Sequence, residues 1–213
     1  MNVKNVVICA AGLGSRLGLD TPKCLVPIGK HKLIYYLLEL IKDIPNVRIV
    51  VGFKEEEVIK YVRSIRDDVV FIRNSNYSST TNAYSLHLGT KDLKEPFLTI
   101  DGDMILDPTS FKSLLTKCVP GEDLIVITEA KTEDAVFVKL NDKKEVVEFS
   151  REPFSKYEWS GVGYLSNIKI DKDGQYVYQV IEKYLPIKSA ELTCWEIDTP
   201  QDLNNTLNYL SFI

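Results

Sequence analysis

Near the start of the chain an apolar run, Val6-Val7-Ile8-Cys9-Ala10, opens into Ala11-Gly12-Leu13-Gly14-Ser15-Arg16, and Pro22-Lys23 follows. Glycines at the mouth of a strand let main-chain N–H groups come close to a ligand, and successive amides of this kind cradle anions. Arg16 adds a planar fork of donors matched to phosphate oxygens, and Lys23 adds a compact second charge. Cations in such a loop offset the charge that develops on a transferred phosphorus and on a departing pyrophosphate. The plain alternative is a surface turn with two solvated cations, and a lone Gly-x-Gly would not rise above it. Strand, glycine pair, arginine and Pro-Lys in that order favour triphosphate chemistry. Ala10, Ala11, Gly12, Gly14, Ser15 and Arg16 are then the expected nucleotide contacts. Lys23 and Arg16 are expected to act on the reacting phosphates.

Two better-known phosphate loops are excluded. No Gly-Lys-[Ser/Thr] ending is present, so this is not a P-loop. The third glycine of a dinucleotide fingerprint would fall at Leu17.

Acidic residues supply the complementary chemistry. Asp101-Gly102-Asp103 follows the apolar run Phe97 to Ile100, at the carboxyl end of a strand, where open α/β sheets bind ligands. Two carboxylates there suit a hard cation such as Mg²⁺, although a polar turn capping the strand would look the same. Near the other end, Glu196 and Asp198 alternate on Trp195-Glu196-Ile197-Asp198 and so share a face, while Asp198-Thr199-Pro200 also reads as the start of a helix. Between them, Asn74-Ser75-Asn76-Tyr77-Ser78-Ser79-Thr80-Thr81-Asn82 is a run of amides and hydroxyls suited to a nucleobase edge. Its plain alternative is a loop in which Thr81 or Asn82 caps the next helix.

The elements that must position these groups follow from periodicity. Val6 to Ala10 reads as a buried strand, and Val47 to Val51, Val69 to Ile72 and Phe97 to Ile100 as further strands. Leu33, Ile34, Leu37, Leu38 and Ile41, and then Val58, Ile59 and Val62, recur at helical spacing. Strand and helix in alternation predict an α/β fold, Rossmann-like, with a mostly parallel sheet flanked by helices. Beyond Pro120-Gly121 the pattern turns β-rich, with strands at Leu124 to Thr128, Ala135 to Leu140 and Val146 to Phe149. Asn141 to Lys144 reads as the hairpin turn between the last two. Helices return at about 176 to 184 and 201 to 209. One domain over residues 1–213 is expected, with a nucleotide-binding part to about 120 and an acceptor-binding part from about 121.

Composition removes other classes. A net charge of −4 gives no general attraction for nucleic acid or an anionic membrane, so any bound anion needs a local basic site. Cys9, Cys24, Cys118 and Cys194 are too scattered for a zinc site or a disulfide framework. No apolar stretch reaches the ~18 residues of a membrane span. The strand-like run begins within five residues of Met1, too early for a signal peptide, so a cytoplasmic setting is expected. His31 and His87 read as surface or packing residues. The oligomeric state is left open, with a homodimer among the options.

Taken together, Gly12-x-Gly14-x-Arg16 and Pro22-Lys23-Cys24-Leu25-Val26-Pro27 resemble the nucleotidyltransferase family that makes nucleotide-sugars and CDP-alcohols. The resemblance implies a GT-A-like nucleotidyltransferase fold, contact of Arg16 and Lys23 with the phosphates, and a requirement for Mg²⁺. The metal would be held by Asp103 and by Asp198, with Asp101 behind Asp103 on the nucleotide side. The stretch Thr81-Asn82-Ala83-Tyr84-Ser85-Leu86 resembles bacterial phosphocholine cytidylyltransferases of cell-surface polysaccharide decoration. It implies Thr81 and Asn82 as base contacts and CTP as the nucleotide. Ser160-Gly161-Val162-Gly163-Tyr164 is similar to the family's acceptor-side segment, which implies Ser160, Gly161 and Tyr164 as acceptor contacts, and Glu196 is expected on the acceptor side as well.

Two departures bear on the acceptor. The Glu-Lys-Pro of sugar-1-phosphate enzymes is Arg151-Glu152-Pro153 here, with Arg151 as its expected replacement. The Glu-Trp pair of the phosphocholine enzymes falls at Asp134-Ala135, leaving Tyr157, Trp159, Tyr164 and Trp195 as candidates for an aromatic cage. The expected reaction is transfer of CMP from CTP to phosphocholine or a related phospho-alcohol or phospho-amine, with release of pyrophosphate. The alternatives are a sugar-1-phosphate nucleotidyltransferase and a glycosyltransferase that uses Asp101-Gly102-Asp103 as an Asp-x-Asp metal motif.

Overall fold

The computed structural model describes residues 2–14, 17–131, 135–172 and 175–210, excepting the side chains of 208–210. Ser15, Arg16 and Asp134, each singled out above, lie outside the described residues.

The first half is built as the periodicity predicts. Strand β1 (Asn5–Ala10) is buried nearly throughout and leads toward the glycine loop. The short pair β2 (Pro27–Ile28) and β3 (His31–Lys32) precedes helix α1 (Leu33–Leu40), which buries Leu33, Ile34, Leu37 and Leu38. Strand β4 (Asn46–Val51) and helix α2 (Glu55–Arg63) follow. Three glutamates in the first turn of α2 and Lys60 and Arg63 in its last turn complement the helix dipole. Next come β5 (Val69–Arg73), α3 (Asn82–Thr90), β6 (Phe97–Asp101) and β7 (Met104–Leu106). Helix α4 (Pro108–Lys117) starts where Asp107 accepts a bond from the Ser110 N–H at 2.7 Å with Pro108 beside it, a start signal that the periodicity reading passes over.

The second half contains β8 (Leu124–Glu129), β9 (Phe137–Leu140), β10 (Glu145–Ser150), β11 (Tyr157–Leu165), α5 (Val177–Glu182), β12 (Ile187–Glu191), β13 (Cys194–Glu196) and α6 (Pro200–Leu210). The Asn141 to Lys144 turn joins β9 and β10 as an antiparallel pair, as expected. The last helix also begins as expected. Thr199 Oγ1 accepts from the Asp202 N–H, and Asp202 Oδ2 accepts from the Thr199 N–H at 2.8 Å, so the two residues cap each other.

One nine-stranded sheet runs through both halves in the order β5-β4-β1-β6-β11-β8-β12-β10-β9. The strands β5, β4, β1 and β6 are parallel, as the alternation of strand and helix requires. Beyond β6 the sheet is mixed: β11 is antiparallel to both β6 and β8, β12 is parallel to β8, and β10 is antiparallel to β12. The carboxyl ends of β1, β6 and β8 therefore point the same way, and the groups singled out for chemistry stand at that edge. No helix among the described residues is long and apolar enough to cross a membrane.

Candidate active site

A cavity of about 320 Å³ opens at the ends of β1 and β6. Its walls include Ala10, Ala11, Gly12 and Gly14 from the loop, Lys23, the stretch Thr80-Thr81-Asn82, Asp101 to Asp103, and Glu196.

Lys23 is set by local geometry. Pro22, with φ −54° and ψ 133°, delivers the chain into a single 3-10 turn, Lys23–Leu25, anchored by buried Cys24 and Leu25. Gly14 closes over it with φ +64°, and a Cβ there would stand 2.7 Å from Lys23 Cγ. The ammonium is thereby steered to Asp103 Oδ2 at 2.9 Å and also pairs with Asp198. All three side chains are more than four-fifths buried, so these ion pairs are poorly screened by solvent.

Asp103 and Asp198 lie 95 positions apart in sequence, and a small antiparallel pair brings them together. Strand β13 pairs with β7 in the register Glu196↔Met104, and the Ile197 N–H donates to the Asp103 carbonyl at 2.9 Å. Asp103, Glu196 and Asp198 each present a carboxylate oxygen within 4.8 Å of the others. Glu196, expected on the acceptor side, thus stands with the two aspartates. Asp103 Oδ1 is buried with no hydrogen-bond partner among the described residues. An all-oxygen, triply acidic set with such an oxygen, two of whose members already pair with an ammonium, fits a hard divalent cation.

Asp101 lies beneath this triad. Burial, and then the neighbouring Asp103 and Glu196 carboxylates, push its carboxyl well above the usual range, while Lys23 pulls it back. Gly161 covers it: with φ +77°, a Cβ at this position would stand 2.8 Å from Asp101 Oδ2. The acceptor-side glycine therefore adjoins the cavity. Ser160 does not, because its hydroxyl donates to the Val126 carbonyl at 2.9 Å inside the sheet. Tyr164 is buried in the core. Arg151 follows the end of β10 and is absent from the cavity walls.

The polar run is held by its own first residue, whose organising role the sequence did not distinguish from that of its neighbours. Buried Asn74 donates through Nδ2 to Thr80 Oγ1 and Ser85 Oγ, each at 3.0 Å, and its Oδ1 accepts from the Asn76 N–H at 3.0 Å. Only the long amide-and-hydroxyl run signalled it. Thr81 is the N-cap of α3 by position, yet its side chain makes no capping bond, and Asn82 Oδ1 is buried without a partner among the described residues. Both face the cavity. The four candidate cage aromatics are divided among three apolar clusters. Tyr164 lies in one, Tyr157 and Trp159 in a second, and Trp195 in a third.

Comparison with known proteins decides the family. The model of the MobA-like NTP transferase domain matches residues 6–181. The chain belongs to this family. Among its NTP transferase relatives, the choline-phosphate cytidylyltransferase of Streptococcus pneumoniae is 34% identical over 116 residues, covering 52% of this chain and 49% of the relative. The bifunctional protein GlmU of Cupriavidus metallidurans is 31% identical over 126 residues, covering 58% of this chain and 27% of the relative. The matches thus span half or less of these relatives. The NTP transferase fold recurs in solved structures. The inositol-1-phosphate CTP transferase from T. maritima superposes with a TM-score of 0.83 at 19% identity, over 99% of this chain and 96% of that one. The CTP:phosphocholine cytidylyltransferase from Streptococcus pneumoniae gives 0.79 at 24% identity, over 99% and 100%.

Proposed function

We propose that this protein, acting as a single domain, transfers CMP from CTP to a small phosphorylated alcohol and releases pyrophosphate. The observation that carries the reading is Lys23, held by Gly14 and paired with Asp103 and Asp198 at the mouth of the glycine loop. A glycosyltransferase would use the carboxylates but leaves that lysine without a task.

The residues divide the work as follows. Main-chain N–H groups of the Gly12–Gly14 loop bind the phosphates, and Arg16, two positions on in sequence, is assigned to the same task from its residue type alone. Lys23 orients the acceptor phosphate toward the α-phosphorus and offsets the charge that builds there. Asp103, Glu196 and Asp198 would hold a divalent cation, Mg²⁺ by the chemistry of the donors, and when bound it would neutralise phosphate charge. An acceptor phosphate is ionised at neutral pH, so no side chain is needed as general base.

Thr81 and Asn82 read the base. The Asn82 amide oxygen is a buried acceptor, complementary to the amino group that cytosine carries and uracil lacks. Both solved neighbours described above are named for their use of CTP, which supports the same choice here. The test is pyrophosphate release with each nucleoside triphosphate in turn, alongside Mg²⁺ and a mixed set of phosphocholine, a polyol phosphate and sugar 1-phosphates. CTP is expected to be used fastest, and equal rates with CTP and UTP would contradict the assignment of the base contacts. Gly14→Ala should raise the KM for CTP by about tenfold or more, because the added Cβ displaces Lys23 and the left-handed backbone resists alanine. An unchanged KM would show that the loop does not need that geometry.

A further inference from the structure

One cation at the site's edge has no role so far. Lys131 follows β8, which is separated from β6 in the sheet by β11 alone, and so it emerges at the same edge as the carboxylates. Its ammonium donates to the carbonyl of Cys194 and to Thr128 Oγ1, the latter at 3.4 Å, and stands 5.5 Å from the centre of the Trp195 ring. Cys194 and Trp195 belong to β13, whose last residue is Glu196 of the acidic triad. An ammonium has three donors, and the contacts among the described residues use two of them.

Two features show that Lys131 does more than fasten β13 to β8. The triad and Lys23 mark where the reacting phosphates would meet, and Lys131, outside the walls of that cavity, is held against Cys194 and Trp195 of the strand that carries Glu196 into it. Trp195 is the one cage candidate in the apolar cluster that contains Ile197, beside the triad, and its face already carries a positive charge. A trimethylammonium group arriving there would have to displace Lys131 or lie against a like charge, and both are unfavourable. A hydroxyl or phosphate oxygen would instead accept the third N–H.

We propose that Lys131 selects the acceptor: its third donor meets an oxygen of a polyhydroxylated phosphate, such as a polyol or sugar phosphate, and its charge excludes a quaternary ammonium from the face of Trp195. This deepens the nucleotidyl-transfer reading and rests on it.

The experiment compares the native enzyme with Lys131→Met, which keeps the apolar stem, and with Lys131→Arg, which keeps the charge. Initial rates of pyrophosphate release are measured with CTP and either phosphocholine, inositol 1-phosphate or glucose 1-phosphate. The native enzyme should use one of the hydroxylated acceptors in preference to phosphocholine. Lys131→Met should raise the KM for that acceptor by about tenfold, the scale of one charged hydrogen bond, with the KM for CTP unmoved. It should also narrow or reverse the discrimination against phosphocholine, and Lys131→Arg should restore part of it. A merely structural lysine would shift both acceptors equally or lower the unfolding temperature alone, and either result overturns the proposal. So does native preference for phosphocholine. Turnover with an unaltered acceptor ratio refutes the selection and leaves nucleotidyl transfer standing, whereas no pyrophosphate from any pair refutes both.

Discussion

Lys23→Ala is expected to slow pyrophosphate release by about 10²–10³-fold, the range found when one preorganised donor to a developing anion is removed. The fold should persist, because the lysine side chain packs under Gly14 and against carboxylates and is not part of an apolar cluster. The same change leaves Asp103, Glu196 and Asp198 facing one another within 4.8 Å without their ammonium. Repulsion among them should lower the unfolding temperature in the presence of a chelator, and Mg²⁺ should restore it by binding the folded state. Lys23→Arg should not restore turnover, because a planar fork cannot occupy the compact position that the ammonium holds between two carboxylates. Circular dichroism, thermal unfolding with and without Mg²⁺, and initial rates check all three. Turnover near the native rate in Lys23→Ala would remove this residue from the chemistry.

The second large effect is expected for Asp103→Asn. The substitution keeps the shape and the main-chain bond by which the Asp103 carbonyl accepts from Ile197, so the β7–β13 pairing should hold. It removes the charge from the residue that carries both the contact with Lys23 and a buried oxygen without a partner. The Mg²⁺ concentration for half-maximal rate should rise by at least about tenfold, and the maximal rate should fall by about 10²-fold or more. Metal titration of the rate measures both, and an unchanged Mg²⁺ dependence would place the metal elsewhere.

Much of this site is legible in the sequence because its parts obey short-range rules. The glycine loop follows the first buried strand, Asp101 to Asp103 ends another, and Thr199 with Pro200 starts the last helix as its residue types dictate. The meeting of Asp103 with Asp198 is harder to foresee. It depends on two three-residue strands, too short to leave any periodicity, and their register also carries Glu196 in beside the aspartates. Asn74 and Lys131 left no signal of their own. A buried asparagine that organises a loop looks like any loop asparagine, and a lysine at a strand end looks like a solvated one until the partner strand is known. The reverse also occurs. Ser160 and Tyr164 read as acceptor contacts from their neighbours in sequence, yet strand alternation and the bulge in β11 turn both into the core.

The strand order is likewise readable only to β6, the β9–β10 hairpin apart. Up to that point a helix stands between each strand of the main sheet and the next, and parallel pairing is forced. Beyond it, close strand spacing allows several antiparallel orders, and long-range packing chooses among them.

The central claim is that an acceptor phosphate attacks the α-phosphorus of CTP in this cavity. Phosphorus NMR of one reaction containing CTP, Mg²⁺ and a phosphorylated acceptor tests it most directly. Pyrophosphate and a new diphosphate-linked CDP product should appear in equal amounts, with none of either when the acceptor is omitted. Conversion of CTP to CDP and inorganic phosphate, or no change in CTP with any acceptor, would contradict the account.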